Sequence, residues 1–354
     1  MKFLIVRLGS LGDIVHALPA AAALRQQFPS AGIDWLVDRR YAAVLRLVSI
    51  LDRVIVLAGS RVATARPIAG GREAHFAGWQ GFLRAMGDLR RRAYDVTFDL
   101  QGLIRSAVLA RASGATRVVG FDRAHLREQP ARFFYTEACD VGGAVHVVDK
   151  NLAALASVGI RGAPRTFPID PAPSPVVGLV RERLGLASAA PFAVVNPGGG
   201  WPNKRWPPER YGAAAAALHE RHGLRSVVLW GPGEQALAGE VTAASRGAAE
   251  AAPPTDLAGI VALSRATRLF VGGDTGPLHL AAAVGAPIVG IYGPTDPARN
   301  GPWQEEDAVV SRYNVCACRY QRRCREKRAC LLDITVEEVV DAVEGRLAAG
   351  SSRP

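Results

Sequence analysis

Lysine is scarce in this sequence, although basic residues are plentiful. Of the 43 lysines and arginines, the lysines are only Lys2, Lys150, Lys204 and Lys327. The formal net charge is +11. A surface of that sign favours anionic partners, which include phosphorylated lipid, acidic sugars, a membrane face and nucleic acid. Charge alone does not choose among them.

Long uninterrupted hydrophobic runs are also missing. Residues 275–295 contain no Asp, Glu, Lys or Arg, but glycines, prolines and His279 break the run. We therefore interpret these residues as part of a binding site rather than as a membrane span. Near the start, Phe3 to Val6 is too short for the apolar region of a signal peptide, and Arg7 interrupts it. These features predict a cytoplasmic protein.

Two motifs of nucleotide chemistry do not occur. The turn after the first predicted strand reads G-x-x-G-D, from Gly9 to Asp13, so the dinucleotide fingerprint G-x-G-x-x-G is absent there. No segment resembles the D-x-D motif that binds a divalent metal beside a nucleotide. The sequence therefore argues against dinucleotide binding and predicts chemistry without a catalytic metal.

Cysteines are few and unevenly placed. Four of the five lie in the pattern Cys316-x-Cys318-x5-Cys324-x5-Cys330, and this crowding does not suggest the disulfide framework of a secreted protein. Four thiolates in tetrahedral reach could hold a structural Zn or Fe. A single residue inside the first pair is not the usual zinc-ribbon spacing. We predict a structural metal at these four cysteines, with reduced thiols and disulfides as the alternatives.

Length and composition describe a globular protein of two domains. The chain has 354 residues, of which 49% are hydrophobic and 21% charged. Short apolar strands alternate with helices, which predicts an α/β fold of doubly wound, Rossmann-like domains. Five prolines within residues 161–176 mark a stiff linker. We predict a first domain at 1–165, a linker at 166–176, a second domain at 177–335, and a C-terminal helix and tail at 336–354.

Local patterns place the elements of the first domain. Lys2 to Val6 is predicted as a buried strand, followed by one helix from about Ile14 to Gln27. Residues 59–80 are predicted to be an irregular basic loop, followed by a helix to about Arg92. Arg61, Arg66 and Arg72 of this loop either meet an anionic ligand or are solvated.

The stretch from Arg268 to Pro294 reads as strand, Gly-Gly turn, helix and strand. Thr275 suits the N-cap position, and Gly276 lets a ligand approach the free amides of the first helical turn. Such amides and the helix dipole predict a site for a diphosphate-sized anion. The carboxylate of Asp274 is suited to accept hydrogen bonds from sugar hydroxyls or to stabilise the turn. The alternative is a well-capped helix in which Asp274 and His279 are merely satisfied polar groups.

Other turns carry polar side chains after predicted strands. Asp13 is expected at a helix start facing the crevice, or else as a carboxylate that complements the helix dipole. Asp99 and Gln101 are expected to point toward the same crevice. Arg127 could bind a carboxylate or phosphate bidentately, or form an ion pair with Glu128 or Asp122.

In the second domain, Lys204 follows three glycines and is a point charge for a diphosphate. Glu234 opens a later helix.

These blocks resemble glycosyltransferase family 9, the bacterial lipopolysaccharide heptosyltransferases. The segment D-T-G-P-x-H-x-A-A, which starts at Asp274, and the segment Y-G-P-T-D-P, which starts at Tyr292, are similar to its nucleotide-sugar motif. The segment from Asp99 to Ser106 resembles the D-x-Q-G-L-x-[KR]-S signature of heptosyltransferase I. The lysine before Trp206-Pro207 matches one that this family uses on the donor phosphate.

The resemblance implies a GT-B fold, with two Rossmann-like domains facing across a cleft. It implies an inverting, metal-independent enzyme that moves heptose from ADP-L-glycero-D-manno-heptose to Kdo-lipid A, an anionic glycolipid, at the cytoplasmic surface of the inner membrane. The implied catalytic residues are Asp13 and Lys204. The implied donor-binding residues are Lys204, Glu234, Asp274, Thr275, Gly276 and His279, and the implied acceptor-binding residues are Asp99, Gln101, Arg105 and Arg127.

Two other functions stay open. One is a transferase of the same fold that acts on a protein or on a different glycan. The other is a non-catalytic protein that binds the membrane surface. Nucleic-acid binding is not expected, because no aromatic and basic platform accompanies the charge.

Overall fold

The computed structural model describes residues 1–58, 73–171 and 173–351. Two compact units divide the chain at Asp170 and Pro171. Each unit is built on a fully parallel sheet flanked by helices. The predicted α/β class of two doubly wound units is therefore confirmed.

The first unit contains a seven-stranded sheet in the order β4-β3-β2-β1-β5-β6-β7. The order reverses at β1, which pairs with both β2 and β5, and ligands of such sheets bind beyond the carboxyl ends of strands at this point. The strands are β1 (Lys2–Val6), β2 (Gly32–Asp38), β3 (Arg53–Ala58), β4 (Glu73–Ala77), β5 (Val96–Asp99), β6 (Arg117–Phe121) and β7 (Glu137–Cys139).

Six α-helices and four short 3-10 helices connect these strands within the described residues of the unit. The α-helices are α1 (Leu11–Val15), α2 (Leu18–Gln27), α3 (Ala42–Leu45), α4 (Gly78–Arg91), α5 (Ile104–Ala112) and α6 (Val147–Ala153). The 3-10 helices cover Arg39–Tyr41, Arg123–His125, Gln129–Phe134 and Ala154–Val158.

Two local predictions for this unit were wrong. The single helix expected from Ile14 to Gln27 is split into α1 and α2, because Pro19 lacks an N–H and occupies the first turn of a new helix. Part of the stretch expected to be irregular forms β4, which pairs with β3 at the sheet edge. The arginines at 61, 66 and 72 lie outside the described residues.

The second unit contains a six-stranded sheet in the order β10-β9-β8-β11-β12-β13. Its strands are β8 (Ala193–Asn196), β9 (Ser226–Val228), β10 (Ala249–Ala251), β11 (Leu269–Gly273), β12 (Ile288–Tyr292) and β13 (Ala308–Ser311). Its α-helices are α7 (Val176–Arg183), α8 (Pro208–His222), α9 (Gln235–Ala244), α10 (Leu257–Ala266), α11 (Gly276–Ala283), α12 (Pro297–Asn300) and α13 (Val336–Ser351). Its 3-10 helices are Pro202–Lys204, Tyr313–Val315 and Cys330–Asp333.

Burial on both faces explains the apolar strands. Every residue of β8, β11 and β12 is buried, and β1 is buried from Phe3 to Val6. Helices cover both faces of such a sheet, so its central strands are nearly continuous in apolar residues rather than alternating. Across the part of the chain that the structure describes, no helix has the length and apolar composition needed to cross a membrane.

Trp206 joins the loop after β8 to the C-terminal helix. Its side chain is fully buried and its ring contacts Tyr211 of α8 edge-on, with 4.9 Å between ring centroids. Its Nε1 donates a 3.1 Å hydrogen bond to the carbonyl of Ile334, which precedes α13. The indole therefore anchors α13 against the sheet that carries the loop of Lys204.

We predict that Trp206→Ala lowers the free energy of unfolding by roughly 3–5 kcal/mol, because it opens a large cavity and leaves the Ile334 carbonyl without its donor. Urea unfolding followed by far-ultraviolet circular dichroism measures the loss. Trp206→Phe keeps most of the packing and should cost clearly less. Equal stabilities of the two variants would contradict this account.

Candidate functional site

The second unit gathers polar side chains around the buried carboxylate of Asp274, which directly follows β11. Its Oδ1 lies 2.8 Å from Nε2 of His279 and accepts a 2.8 Å hydrogen bond from Nδ2 of Asn300. Its Oδ2 accepts a 2.5 Å hydrogen bond from Nζ of Lys204. The three partners come from α11, from α12 and from the loop after β8. Asp274 therefore ties together three segments that surround the carboxyl ends of β8 and β11.

The charge state of Asp274 follows from these partners. Burial alone would raise the pKa of the carboxyl. The hydrogen bond from His279 and the positive charge of Lys204 outweigh burial, so the pKa of Asp274 lies well below its usual range. Asp274 is therefore a carboxylate at neutral pH and acts only as an acceptor, which requires the proton of His279 to be on Nε2.

Lys204 is mostly buried, with 16% of its side chain exposed. It ends the 3-10 helix Pro202–Lys204, and its Nζ lies 4.6 Å from the centroid of the Trp201 ring. An ammonium group has three donors, of which Asp274 takes one at short range and, weakly, another through its backbone carbonyl at 3.4 Å. Within the described part of the chain, one N–H of Lys204 thus remains without a hydrogen-bond acceptor.

The start of α11 lacks a side-chain cap among the described residues. Thr275 occupies the N-cap position, as predicted, but its hydroxyl accepts a 2.9 Å hydrogen bond from Nδ2 of Asn196 instead of capping the helix. Pro277 falls in the first turn, where its missing N–H costs nothing. The amides at the start of α11, including that of Gly276, are therefore left for an anion, beside Lys204.

Glu234 holds two glycine turns together. Its Oε1 accepts a hydrogen bond from the amide of Gly199, and its Oε2 accepts one from the amide of Gly231, both at 3.0 Å. A Cβ at position 198 would overlap the Glu234 carboxylate, so Gly198 is required by this close approach. Arg205 lies 3.4 Å from the same carboxylate. Glu234 thus fixes the turns after β8 and β9.

Asn300 was missed by sequence analysis. It is buried, donates to Asp274 and leaves its own Oδ1 without a hydrogen-bond partner among the described residues. Asparagine is common in turns, and the motif that starts at Tyr292 ends at Pro297, before it. No spacing or periodicity distinguishes Asn300, so only the fold identifies it.

In the first unit, Asp13 lies in α1 just beyond the carboxyl end of β1. Its Oδ1 is 2.7 Å from Nη2 of Arg7, and its Oδ2 accepts 3.0 Å hydrogen bonds from the amide and hydroxyl of Ser10. The carboxylate is oriented from both sides, yet 26% of the side chain remains exposed. Arg7 also donates to the carbonyl of Leu100. Asp13 is therefore held in place without being buried.

The turn after β5 lies beside the turn of Asp13. Oε1 of Gln101 accepts a 2.6 Å hydrogen bond from the amide of Leu8, which follows β1. Together with the bond from Arg7 to Leu100, this contact brings the two turns together at the reversal point of the sheet. The turns that carry the predicted residues Asp13 and Gln101 are thus in contact.

Asp99 lies beneath that turn, whereas we predicted that it points toward the same crevice as Asp13. It is fully buried and accepts hydrogen bonds from the amides of Gln101 and Gly102, from Oγ of Ser106 at 2.9 Å and from the hydroxyl of Tyr135 at 2.7 Å. Burial raises the pKa of Asp99 and that of Tyr135. Asp99 stabilises the turn that carries Gln101. Asp99 can therefore influence a ligand only indirectly, through the conformation of that turn.

Arg105 and Arg127 are both exposed. The alternative ion pairs of Arg127 are not found among the described residues, because its two candidate partners are engaged elsewhere. Glu128 accepts a 2.7 Å hydrogen bond from the amide of Ile104 at the start of α5. Asp122 instead lies 2.6 Å from Nδ1 of His125. Arg127 is therefore available to an anionic ligand.

The cysteine cluster does not support the predicted metal site. Among the residues that the structure describes, no group of three or more His, Cys, Asp or Glu side chains is arranged to hold a metal ion. All five cysteines are free, and the four in question form two hydrogen-bonded pairs: Cys318 with Cys324, at 3.4 Å between sulfurs, and Cys316 with Cys330. Burial raises the pKa of the Cys330 thiol to about 12. The alternative of reduced thiols fits the structure.

Comparison with known proteins extends these observations. Residues 82–330 match the model of glycosyltransferase family 9 (heptosyltransferase). The chain is 31% identical to lipopolysaccharide heptosyltransferase 1 of Pseudomonas aeruginosa, with 99% of each chain covered. It is 27% identical to lipopolysaccharide heptosyltransferase 1 of Escherichia coli K12, with 96% of this chain and 98% of the relative covered.

Solved structures show the same fold. Escherichia coli heptosyltransferase WaaC with ADP-2-deoxy-2-fluoro heptose superposes with a TM-score of 0.71 at 24% identity, covering 97% of this chain and 99% of WaaC. Escherichia coli ADP-heptose lps heptosyltransferase II gives a TM-score of 0.73 at 20% identity, covering 99% of this chain and all of the other. The fold class is GT-B, as predicted.

The ion pair of Asp274 predicts a pH-dependent stability. We expect Asp274→Asn to lower the free energy of unfolding at pH 7 by about 3 kcal/mol, because Lys204 keeps its buried charge without a partner. The folded pKa of Asp274 is depressed below the unfolded value of about 3.9, so the stabilisation is complete above about pH 5 and declines as the pH falls. The difference between the two proteins should therefore shrink by roughly 1 kcal/mol at pH 3.

Urea unfolding at both pH values measures this difference. Asp256→Asn is the matched control, since Asp256 caps α10 from an exposed position and asparagine caps equally well. A stability difference for Asp274→Asn that stays constant with pH would contradict the ion pair.

Proposed function

Because the chain belongs to glycosyltransferase family 9 and is a glycosyltransferase of the heptosyltransferase type, we propose that it transfers heptose from ADP-L-glycero-D-manno-heptose to Kdo-lipid A in synthesis of the lipopolysaccharide inner core. The observation that carries this proposal is the Asp274 cluster beside the uncapped start of α11. The relatives' name, lipopolysaccharide heptosyltransferase 1, supports heptose as the transferred sugar, and the structure of WaaC with ADP-2-deoxy-2-fluoro heptose supports an ADP-linked donor.

The second unit supplies the donor site in this proposal. The diphosphate of the donor lies against the amides of Thr275 and Gly276 and takes the remaining N–H of Lys204. As the bond between the anomeric carbon and the diphosphate oxygen breaks, the leaving ADP keeps the electron pair. Fixed amides and one ammonium group stabilise the growing negative charge. Asp274 and His279 then form hydrogen bonds with the sugar hydroxyls, and Glu234 binds the ribose.

No divalent metal is needed for this arrangement. The positive charge that a metal would supply at the diphosphate comes from Lys204 and from the dipole of α11. The missing D-x-D motif in the sequence supports a metal-independent reaction.

The first unit supplies the base and the acceptor contacts. Asp13 accepts the proton of an acceptor hydroxyl while that oxygen bonds to the anomeric carbon, on the side opposite to the leaving group, so the anomeric configuration inverts. Arg7 and Ser10 orient the carboxylate for this step. Arg105 and Arg127 suit the carboxylates and phosphates of the acceptor, and Gln101 is a further acceptor contact in this proposal. Because this acceptor is anchored in lipid, the enzyme acts at the cytoplasmic surface of the inner membrane in this proposal.

A product assay tests the proposal. The enzyme is incubated with ADP-heptose and Kdo-lipid A, with and without EDTA, and the products are weighed by mass spectrometry. We expect one heptose added to Kdo-lipid A, stoichiometric ADP and an unchanged rate in EDTA. Heptose found instead on a protein or on another glycan would show that Kdo-lipid A is not the acceptor. A rate that falls in EDTA would overturn the metal-independent mechanism.

Asp13→Asn should lower kcat by two to four orders of magnitude, because the amide cannot accept the proton. The affinity for ADP, measured by calorimetry, should stay within about twofold. Asp52→Asn is the control: Asp52 likewise pairs with an arginine, Arg25 at 2.6 Å, and accepts from an amide, that of Ile33. It lies at the opposite, amino-terminal edge of the same sheet. A normal rate in Asp13→Asn would remove the base assignment.

A further inference from the structure

The second unit carries an exposed basic segment that the proposed chemistry does not use. Residues 319–328, here the basic loop, contain six arginines and lysines and one carboxylate, Glu326, for a net charge of +5. All six basic residues are exposed. Arg319 donates to backbone carbonyls, and Arg328 pairs with Asp333 at 2.9 Å.

The other four basic residues of the loop are Arg322, Arg323, Arg325 and Lys327, and none of them forms an ion pair within the part of the chain that the structure describes. These four charges lie within residues 322–327, where Glu326 is the one carboxylate, so a net charge of +3 is concentrated in six residues and repels itself. Such a cluster is stabilised by an anionic partner.

Cysteine thiols set the shape of the basic loop. No helix or strand covers residues 316–329. Cys316 and Cys318 are buried, Cys318 lies 3.4 Å from Cys324, and its sulfur accepts a hydrogen bond from the amide of Arg325. Because the thiols occupy the inside of the turn, the cationic side chains are left in solvent. The fold therefore presents the charges on a fixed scaffold.

Apolar side chains accompany these charges. Val315 is 72% exposed, Tyr320 44% and Leu332 37%. Val315 and Leu332 flank the basic loop on either side, and Tyr320 lies within it. Cations mixed with exposed aliphatic groups and a tyrosine suit the boundary between lipid head groups and acyl chains. A nucleic acid would instead need a platform of several aromatic rings, and the loop has one.

The basic loop packs against the candidate donor site. The amide of Tyr320 donates a 2.8 Å hydrogen bond to the carbonyl of Pro294, in the turn after β12. Nδ2 of Asn203 donates a 2.7 Å hydrogen bond to the carbonyl of Gln321. Asn203 immediately precedes Lys204. A surface that binds the basic loop is therefore also close to Lys204 of the candidate donor site.

We propose that the basic loop docks the protein on a bilayer rich in anionic phospholipid, with Val315, Tyr320 and Leu332 entering the interface. Membrane binding by the basic loop goes beyond the proposed function. Only its biological purpose rests on that function, because docking would keep the donor site near a lipid-linked acceptor. Each basic residue near such a surface raises membrane affinity about fivefold, so three of them account for a factor on the order of a hundred.

Vesicle sedimentation tests the proposal with the full chain. The wild type should bind vesicles of mixed phosphatidylcholine and phosphatidylglycerol, should not bind phosphatidylcholine alone, and should lose affinity as salt is added. The triple variant Arg322→Gln, Arg323→Gln, Lys327→Gln should bind the anionic vesicles on the order of a hundredfold more weakly. The control triple Arg183→Gln, Arg246→Gln, Arg265→Gln removes the same charge from other exposed positions of the second unit and should bind nearly as the wild type does.

A second variant separates the insertion of apolar side chains into the bilayer from the electrostatic attraction to its head groups. The double variant Val315→Ser, Leu332→Ser should weaken vesicle binding most in high salt, where the electrostatic attraction is screened. Equal losses in the two triple variants would overturn the proposal in favour of net charge alone. Binding of a single-stranded RNA by the basic loop, without vesicle binding, would also overturn it.

Transfer to a water-soluble oligosaccharide containing Kdo should be unchanged in the loop triple variant. A wild type that transfers nothing to this acceptor would count against the proposed function and would leave the vesicle result intact.

Discussion

A carboxylate buried against one lysine organises the second unit. An ionised Asp274 would be unstable inside the protein without donors, and the chain provides them from three separate segments. Lys204, His279 and Asn300 are far apart in sequence, and each lies on a turn or helix beyond the carboxyl end of a parallel strand. The need to satisfy this one charge fixes the relative positions of the loops that would contact a nucleotide sugar.

The first unit uses a cation in the corresponding place. Arg7 leaves β1, pairs with Asp13 and donates to the carbonyl of Leu100 after β5. Here the charged pair stays partly open, because Asp13 keeps a quarter of its surface. One unit thus buries its carboxylate to fix loops, and the other leaves its carboxylate partly exposed, where the proposed function places the base.

The sequence allowed much of this to be anticipated, and the failures have physical reasons. Central parallel strands are apolar because both of their faces are buried, so β1 and β11 were evident from composition. The edge strand β4 has no such signature. Asp99 was expected to point toward the crevice because it ends a strand before a glycine turn, yet it is buried and accepts hydrogen bonds from the hydroxyls of Ser106 and Tyr135. Such partners depend on tertiary packing, which spacing along the chain does not encode. The four cysteines suggested metal ligation by their number alone, whereas their pairing depends on the fold.

The buried amide of Asn300 has one further consequence. Its oxygen is buried and has no hydrogen-bond donor among the described residues of the protein. A ligand hydroxyl that reaches this oxygen would donate a hydrogen bond that the protein itself does not supply. A deoxy analogue of the same shape could not donate it. Selectivity at this position would therefore come from one hydrogen bond to a buried protein atom and not from steric fit.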